Sequence, residues 1–334
     1  MTAGLRPKVE GQRSQVEGQR AERPFESSVE ARQRRTLGVP PEVLRQVRLL
    51  ELRTRGLVNS VFAGEYRSVF KGQGMEFAEV REYQPGDEVR TIDWNVSART
   101  GRTYVKRYVE ERELTVMVVV DCSGSEYFGT SRRFKQELAA EVAALLTMSA
   151  VRNNDRIGVL LFSDRVEHVV PPRKGRRHAL RVIRDILLHE PEGRGTDIAG
   201  ALEYLRGMLT SRHAIVFLLS DLIEEGLERS LKLTAQRHDL VVATIEDPRE
   251  GELPNVGLAR FVDPETGATV ELDTGDSRVR AGFKEAANGQ RLIRRKMLRR
   301  LAIDEIPLKT NAPYIEALLR FFRARERRRG RARR

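Results

Sequence analysis

The chain is short of nearly everything that would mark a secreted, membrane-spanning or conventionally catalytic protein. Its 334 residues include a single cysteine, Cys122, so no intrachain disulfide can form and nothing points to an oxidising compartment. No window approaches the ~18–20 consecutive apolar residues of a bilayer-spanning helix. The opening MTAGLRPKVEGQRSQ lacks the apolar core of a secretory signal, and a cytoplasmic location is expected. There is no phosphate-cradling G-x-x-x-x-G-K-[ST] loop. The five histidines (His168, His178, His189, His213 and His238) are scattered without metal-ligand or triad spacing.

Charge is not lacking, but it is unevenly placed. Of the formal +12, an excess of eight lies between Arg320 and Arg334, where nine arginines face one acid, Glu326. The remainder is nearly balanced. Such a tail is either a solvated helix end or a surface for nucleic acid or anionic partners, and no nucleic-acid module accompanies it.

Residues 1–38 are polar, poor in aromatics and aperiodic, and read as a disordered leader. Val9-Glu10-Gly11-Gln12-Arg13 recurs as Val16-Glu17-Gly18-Gln19-Arg20, but two glycine-bearing copies do not make a coiled coil. An overextended translation start would account for such a leader. Residues 39–113 begin with an amphipathic helical pattern carrying Val43, Val47, Leu50 and Leu57. They continue as a Gly-, Arg- and Glu-rich segment with a turn at Gln84-Pro85-Gly86-Asp87, read as a small β-rich subdomain.

Residues 114–258 alternate strands and helices. Leu114–Val120, Ile157–Ser163, Ala214–Ser220 and Asp239–Ile245 are short apolar runs of the kind buried on both faces. Phe134, Leu138, Val142, Leu145, Leu146 and Ser149 mark one helix, and Ile198, Leu202, Leu205 and Leu209 another. The expected fold is α/β, a doubly wound, mostly parallel sheet flanked by helices. Residues 259–325 are expected to pack on it. They comprise a hairpin around Pro264-Glu265-Thr266-Gly267, a basic helix to about Arg300, an extended Ile303–Leu308, and a last helix capped by Thr310. Residues 326–334 are the basic tail.

The chemistry concentrates after the first core strand, at Asp121-Cys122-Ser123-Gly124-Ser125. Oxygen-bearing side chains at alternate positions suit a hard divalent cation, Mg²⁺ or Mn²⁺, which takes about six oxygens. Asp221 ends another strand, and Thr196-Asp197 follows the glycine-bearing loop GRGTD. Ligands of open α/β sheets bind beyond the carboxyl ends of the strands, so these segments should meet on one edge. Each residue alone could equally be a cap or turn residue, and Asp197 in particular could be the cap of its helix.

Asp121-x-Ser123-x-Ser125, with Thr196 and Asp221, resembles the metal-ion-dependent adhesion site of von Willebrand factor type A domains. Gly72-Gln73-Gly74-Met75-Glu76-Phe77, Arg81-Glu82-Tyr83, Pro85-Gly86-Asp87, Arg90, Ile92-Asp93-Trp94 and Ser97-Ala98-Arg99 resemble the signature of the bacterial domain-of-unknown-function 58 family, over roughly residues 40–325. The resemblance implies a von Willebrand A-like, Rossmann-like fold and five metal residues: Asp121, Ser123 and Ser125 on the first loop, Thr196 on the second, Asp221 on the third. It further implies a binding module rather than an enzyme. A protein partner would donate an Asp or Glu to the cation, and a MoxR-type AAA+ ATPase would act alongside in assembly or activation of other proteins. Glu126-Tyr127 departs from the family's usual Met-Asp after the metal loop and bears on the rim of the site.

Asp87, Arg90, Asp93 and Arg99 are either a recognition surface or a salt-bridged turn that locks the β-rich part onto the sheet with Trp94 as anchor. An enzymatic alternative, a Mg²⁺-dependent hydrolase with Asp121 as nucleophile, needs a second carboxylate two residues on, where Ser123 stands. Ser123 as nucleophile has no identifiable base.

Overall fold

The computed structural model describes residues 76–109, 113–129, 133–209, 213–224 and 226–332, with helical positions 45, 47–52, 54, 66, 69 and 70. The leader, its repeat and the Gly72–Met75 part of the family signature lie outside the described residues.

Six strands form the central sheet: β3 (Thr115–Asp121), β4 (Arg156–Phe162), β5 (Val166–Arg173), β6 (Ile215–Ser220), β7 (Asp239–Glu246) and β10 (Asp304–Lys309). Their order is β10-β7-β6-β3-β4-β5, parallel throughout except for the antiparallel edge pair β4–β5. The chain lays down β3, moves outward to β4 and β5, then returns to the other side of β3 for β6, β7 and β10. The carboxyl ends of β3 and β6 therefore flank the sheet's topological switch point, where a crevice opens.

The alternation of side chains in β3 explains the layering. Val116, Val118 and Val120 face α2 (Lys135–Arg152), α3 (Arg176–Leu188) and α7 (Tyr314–Ala332) through Leu138, Ile183 and Phe322. Met117 and Val119 face α4 (Ile198–Met208), α5 (Glu228–Arg237) and α6 (Ser277–Arg300) through Leu202, Leu231 and Leu298. A strand buried on both faces must be apolar at every position, hence the run TVMVVV.

Several expectations need correction. The sixth strand, β10, comes from the segment expected to pack beside the α/β domain. It pairs in parallel with β7 and completes the sheet. Thr310 does not cap α7; its hydroxyl donates to Asp247 Oδ2 at 2.6 Å. Phe134 is half exposed just before α2 rather than part of its apolar face. Part of the arginine-rich end is structural. Arg325 pairs with Asp239 and with Asp304 Oδ2 (3.2 Å) and stacks over Phe70 at 4.9 Å, while Arg328 reaches Asp304 (2.7 Å). Two arginines of the basic end, which could have been a solvated helix end or a surface for anionic partners, thus help hold α7 on the sheet.

The β-rich unit consists of antiparallel β1 (Glu76–Glu82) and β2 (Tyr104–Val109) with the short helix α1 (Trp94–Thr100). Asp93 caps α1, accepting from Asn95 N (3.0 Å) and Val96 N (3.3 Å), and Asp87 pairs with Arg81 (2.6 Å). Arg90 and Arg99 are exposed. Trp94 is no anchor: as the first residue of a seven-residue helix that buries no side chain, it is 68% exposed. Among the described residues no helix is long and apolar enough to cross a membrane.

Candidate metal centre

Asp121 is the last residue of β3 and is fully buried, and Asp221 follows β6 with 2% of its surface exposed. The two strands are neighbours, so parallel pairing delivers both carboxylates to the same end of the sheet. Asp121 Oδ1 accepts Ser123 N at 2.9 Å, folding the loop back over the strand end, and Ser220 Oγ donates to Asp121 Oδ2 at 2.7 Å. Ser220 Oγ in turn accepts Leu222 N (3.1 Å), and Leu222 holds a left-handed φ of 54° that turns the chain sharply after Asp221. A left-handed leucine costs roughly 1–2 kcal/mol, a sign that packing over-determines this turn.

Ser123 Oγ and Ser125 Oγ are 2.9 Å apart, and Ser125 Oγ is 3.3 Å from Asp221 Oδ2. Adjacent oxygens of an octahedral Mg²⁺ shell, at about 2.1 Å from the ion, are about 3.0 Å apart. Three of the oxygens stand at this spacing, with the Asp121 carboxylate within 4.8 Å of that of Asp221; such a hard oxygen set suits Mg²⁺ or Mn²⁺, and with no histidine or thiolate in it does not suit zinc. Cys122 is buried, and burial pushes its thiol up, as for an inert structural cysteine.

The residues expected from sequence separate here. Asp121, Ser123, Ser125 and Asp221 converge. Thr196 lies on the adjoining loop, which touches the metal loop where Gly124 N donates to Arg194 O (2.9 Å), but its hydroxyl donates to Glu265 Oε1 at 3.0 Å. Asp197 is a helix cap, accepting Gly200 N at 2.7 Å. The 192–196 loop is braced by Glu167, whose Oε1 accepts Ser163 Oγ (2.6 Å), Gly193 N (2.8 Å) and Glu192 N (3.2 Å). Glu167→Ala is expected to cost about 1–3 kcal/mol, because three donors lose one buried acceptor; urea unfolding measures it.

Three further groups were not legible as site residues. Among the described residues, carboxylate oxygens of Asp121, Glu126 and Asp221 all lie within 4.8 Å of one another. Glu126, expected at the rim, is 1% exposed because the loop after Ser123 closes into a 3-10 turn, Gly124–Tyr127, that folds it inward. Lys135, the first residue of α2, is completely buried. Its Nζ lies 2.7 Å from Asp221 Oδ2, 3.0 Å from Glu250 Oε1 and 3.4 Å from Glu126 Oε1. A cation at a helix N-terminus opposes the helix dipole, so these carboxylates are what hold it there. Glu250 is fixed by its other oxygen, which accepts Asp247 N at 3.0 Å.

The electrostatics favour a second cation. Three buried or nearly buried carboxylates (Asp221, Glu126 and Glu250) surround one ammonium, and a fourth, Asp121, lies beside Asp221 and Glu126. Burial, and then the charge of Asp221, raise Asp121 to about 6. A divalent cation between Asp121 and Asp221 would relieve that repulsion and balance most of the remaining negative charge.

Fold and site together define an α/β protein whose sheet carries a buried carboxylate and hydroxyl crevice at its switch point. The chain belongs to the family of proteins of unknown function DUF58, which matches residues 79–293. It is 32% identical to the uncharacterized protein Rv1480 of Mycobacterium tuberculosis over 289 residues, covering 86% of this chain and 91% of that protein. The uncharacterized protein YeaD of Bacillus subtilis is 22% identical over 185 residues, 55% of this chain and 44% of that one. Among solved structures, the conserved hypothetical protein BatB from Bacteroides thetaiotaomicron aligns over 64% of this chain and 99% of its own, at 14% identity and a TM-score of 0.44.

Proposed function

We propose that this protein is a cation-dependent protein-docking module of the von Willebrand A type, in which Mg²⁺ or Mn²⁺ is held by Asp121, Ser123, Ser125 and Asp221. The observation that carries the reading is the convergence of these four oxygen donors, 2.9 and 3.3 Å apart along Ser123–Ser125–Asp221, at the switch point of the sheet. The strand order with a single antiparallel edge strand and the DxSxS loop after the central strand support the same assignment. The cation supplies Lewis acidity toward an incoming carboxylate. The chain's residues do the rest: Asp121 and Asp221 balance charge, the two serines fix the ligand directions, and Ser220 orients Asp121. The hydroxyl at position 123, where a phosphoryl-transferring hydrolase with Asp121 as nucleophile would need its acid–base carboxylate, supports a docking role over that chemistry.

The partner this site fits is a protein presenting an Asp or Glu side chain, and a MoxR-type AAA+ ATPase is the partner we propose. The test is binding of the purified ATPase to wild type and to Asp121→Ala at constant Mg²⁺, so that the ATPase's own nucleotide metal is untouched. Loss of binding in the variant is expected; equal binding contradicts the reading. The competing idea of a nucleic-acid protein predicts binding that falls steeply with salt and ignores Asp121.

A further inference from the structure

Helix α6 runs for 24 residues yet fully buries a single side chain, Leu298. Its inward side is accounted for. Leu298 shares a core with Leu231 of α5, while Val279 and Phe283 pack on Leu253, Ala259 and Phe261 at the hairpin of β8 (Leu258–Val262) and β9 (Thr269–Asp273). Arg291 reaches Glu246 at 3.3 Å. Arg294 pairs with the same carboxylate and donates to Asp221 O at 2.9 Å.

The outward side carries a different set of residues. Leu292 and Ile293 are 56% and 70% exposed, and Lys296 and Arg299, on the following turn and a half, are exposed as well. An ion pair between Arg300 and Glu228 joins the end of α6 to the start of α5, whose own outward side shows Arg229, Lys232 and Leu233. Because Leu231 and Leu298 sit in one core, the two outward sides look the same way. Together α5 and α6 hold twelve Lys and Arg against two acids, Glu228 and Glu285. Several of these cations turn to acids beside them, but Lys296, Arg299, Arg229 and Lys232 have no acidic partner among the described residues.

We propose that the outward face of α5 and α6 docks on an anionic lipid bilayer, along which the protein lies without spanning it. Leu292 and Ile293 enter the boundary between headgroups and acyl chains, and the four cations around them meet the lipid phosphates, their long stems lying along apolar surface. The combination favours lipid over the other polyanions. Nucleic acid complements the charge but offers its phosphates, not an apolar layer, to two exposed aliphatic side chains. Protein interfaces are anchored by Trp, Tyr and Arg set into pockets, whereas the one aromatic residue of α5 and α6, Phe283, packs inward on the hairpin. The metal crevice opens at the strand ends and this face lies on a flank of the sheet, so a molecule docked in this way keeps Asp121 and Asp221 open to a partner.

The experiment is co-sedimentation of the full chain with two vesicle preparations, phosphatidylcholine alone and phosphatidylcholine with about one-third phosphatidylglycerol. Binding to the anionic vesicles is expected to be at least about 10-fold tighter than to the neutral ones and to weaken with salt. Leu292→Ser with Ile293→Ser, and separately Lys296→Glu with Arg299→Glu, should each weaken it at least about 10-fold and leave the melting temperature unchanged. EDTA should not alter it, which separates this proposal from the metal centre. Equal binding to both vesicles overturns the proposal. So does unchanged binding by either α6 variant; loss on Arg323→Glu with Arg327→Glu instead would move the surface to the basic tail. Tighter binding to duplex DNA or to polyglutamate than to the anionic vesicles would overturn it in favour of a nucleic acid or an acidic protein.

Discussion

Asp121→Asn is expected to abolish divalent-cation binding and, in the same molecule, to make the cation-free protein more stable. The amide oxygen still accepts Ser123 N, and the amide NH2 that replaces Oδ2 donates to Ser220 Oγ with the hydroxyl reversed, so the loop geometry at the end of β3 survives. What it removes is a buried negative charge facing Asp221. Removing one of two mutually repelling, desolvated carboxylates should raise metal-free stability by about 1–3 kcal/mol. Cation affinity should fall at least about 100-fold, since a neutral amide oxygen replaces an anionic ligand. Denaturant unfolding in EDTA and calorimetric titration with Mg²⁺ read the two effects separately. A variant that is both less stable without metal and still responsive to Mg²⁺ contradicts this account of the cluster.

Lys135→Met is expected to have the largest effect on stability. Methionine fills much of the same volume, so packing against α2 changes little, but Asp221, Glu126 and Glu250 lose the ammonium between them. Removing one partner of a buried ion pair costs about 3–5 kcal/mol. At about 2–4 °C per kcal/mol this corresponds to a melting temperature lowered on the order of 10 °C in EDTA. Mg²⁺ should recover part of the loss, and should raise the melting temperature of the variant more than that of wild type, because the cation then becomes the main counter-charge in the crevice. Equal melting temperatures in EDTA would mean that Lys135 is not the counter-ion the geometry makes it.

How far the sequence could be read depended on whether a residue's role was local. Strands β3, β4, β6 and β7 were legible because burial on both faces leaves unbroken apolar runs. The edge strand β5, VEHVVPPR, was not, since it is half exposed and carries a histidine and two prolines in the antiparallel position where a sheet tolerates them. Asp121, Ser123, Ser125 and Asp221 were legible because their positions at strand ends tie them to one edge. Lys135 was not: a lysine opening a helix reads as solvated, and only the fold shows that α2 starts over the crevice. Glu126 and Glu265 were visible only as a rim substitution and a turn residue. Glu126 is folded inward by the local 3-10 turn Gly124–Tyr127, which residue type alone does not announce, and Glu265 meets Thr196 only across a long separation in sequence. Trp94 misled for the converse reason, since a lone tryptophan in a charged segment invites burial that a seven-residue surface helix does not provide.

The most direct test of the metal centre is an anomalous difference map from crystals soaked in Mn²⁺. The account predicts a peak bounded by Asp121, Ser123 Oγ, Ser125 Oγ and Asp221 at the carboxyl ends of β3 and β6. A map with no peak there, or with Mn²⁺ only at surface carboxylates, would contradict it.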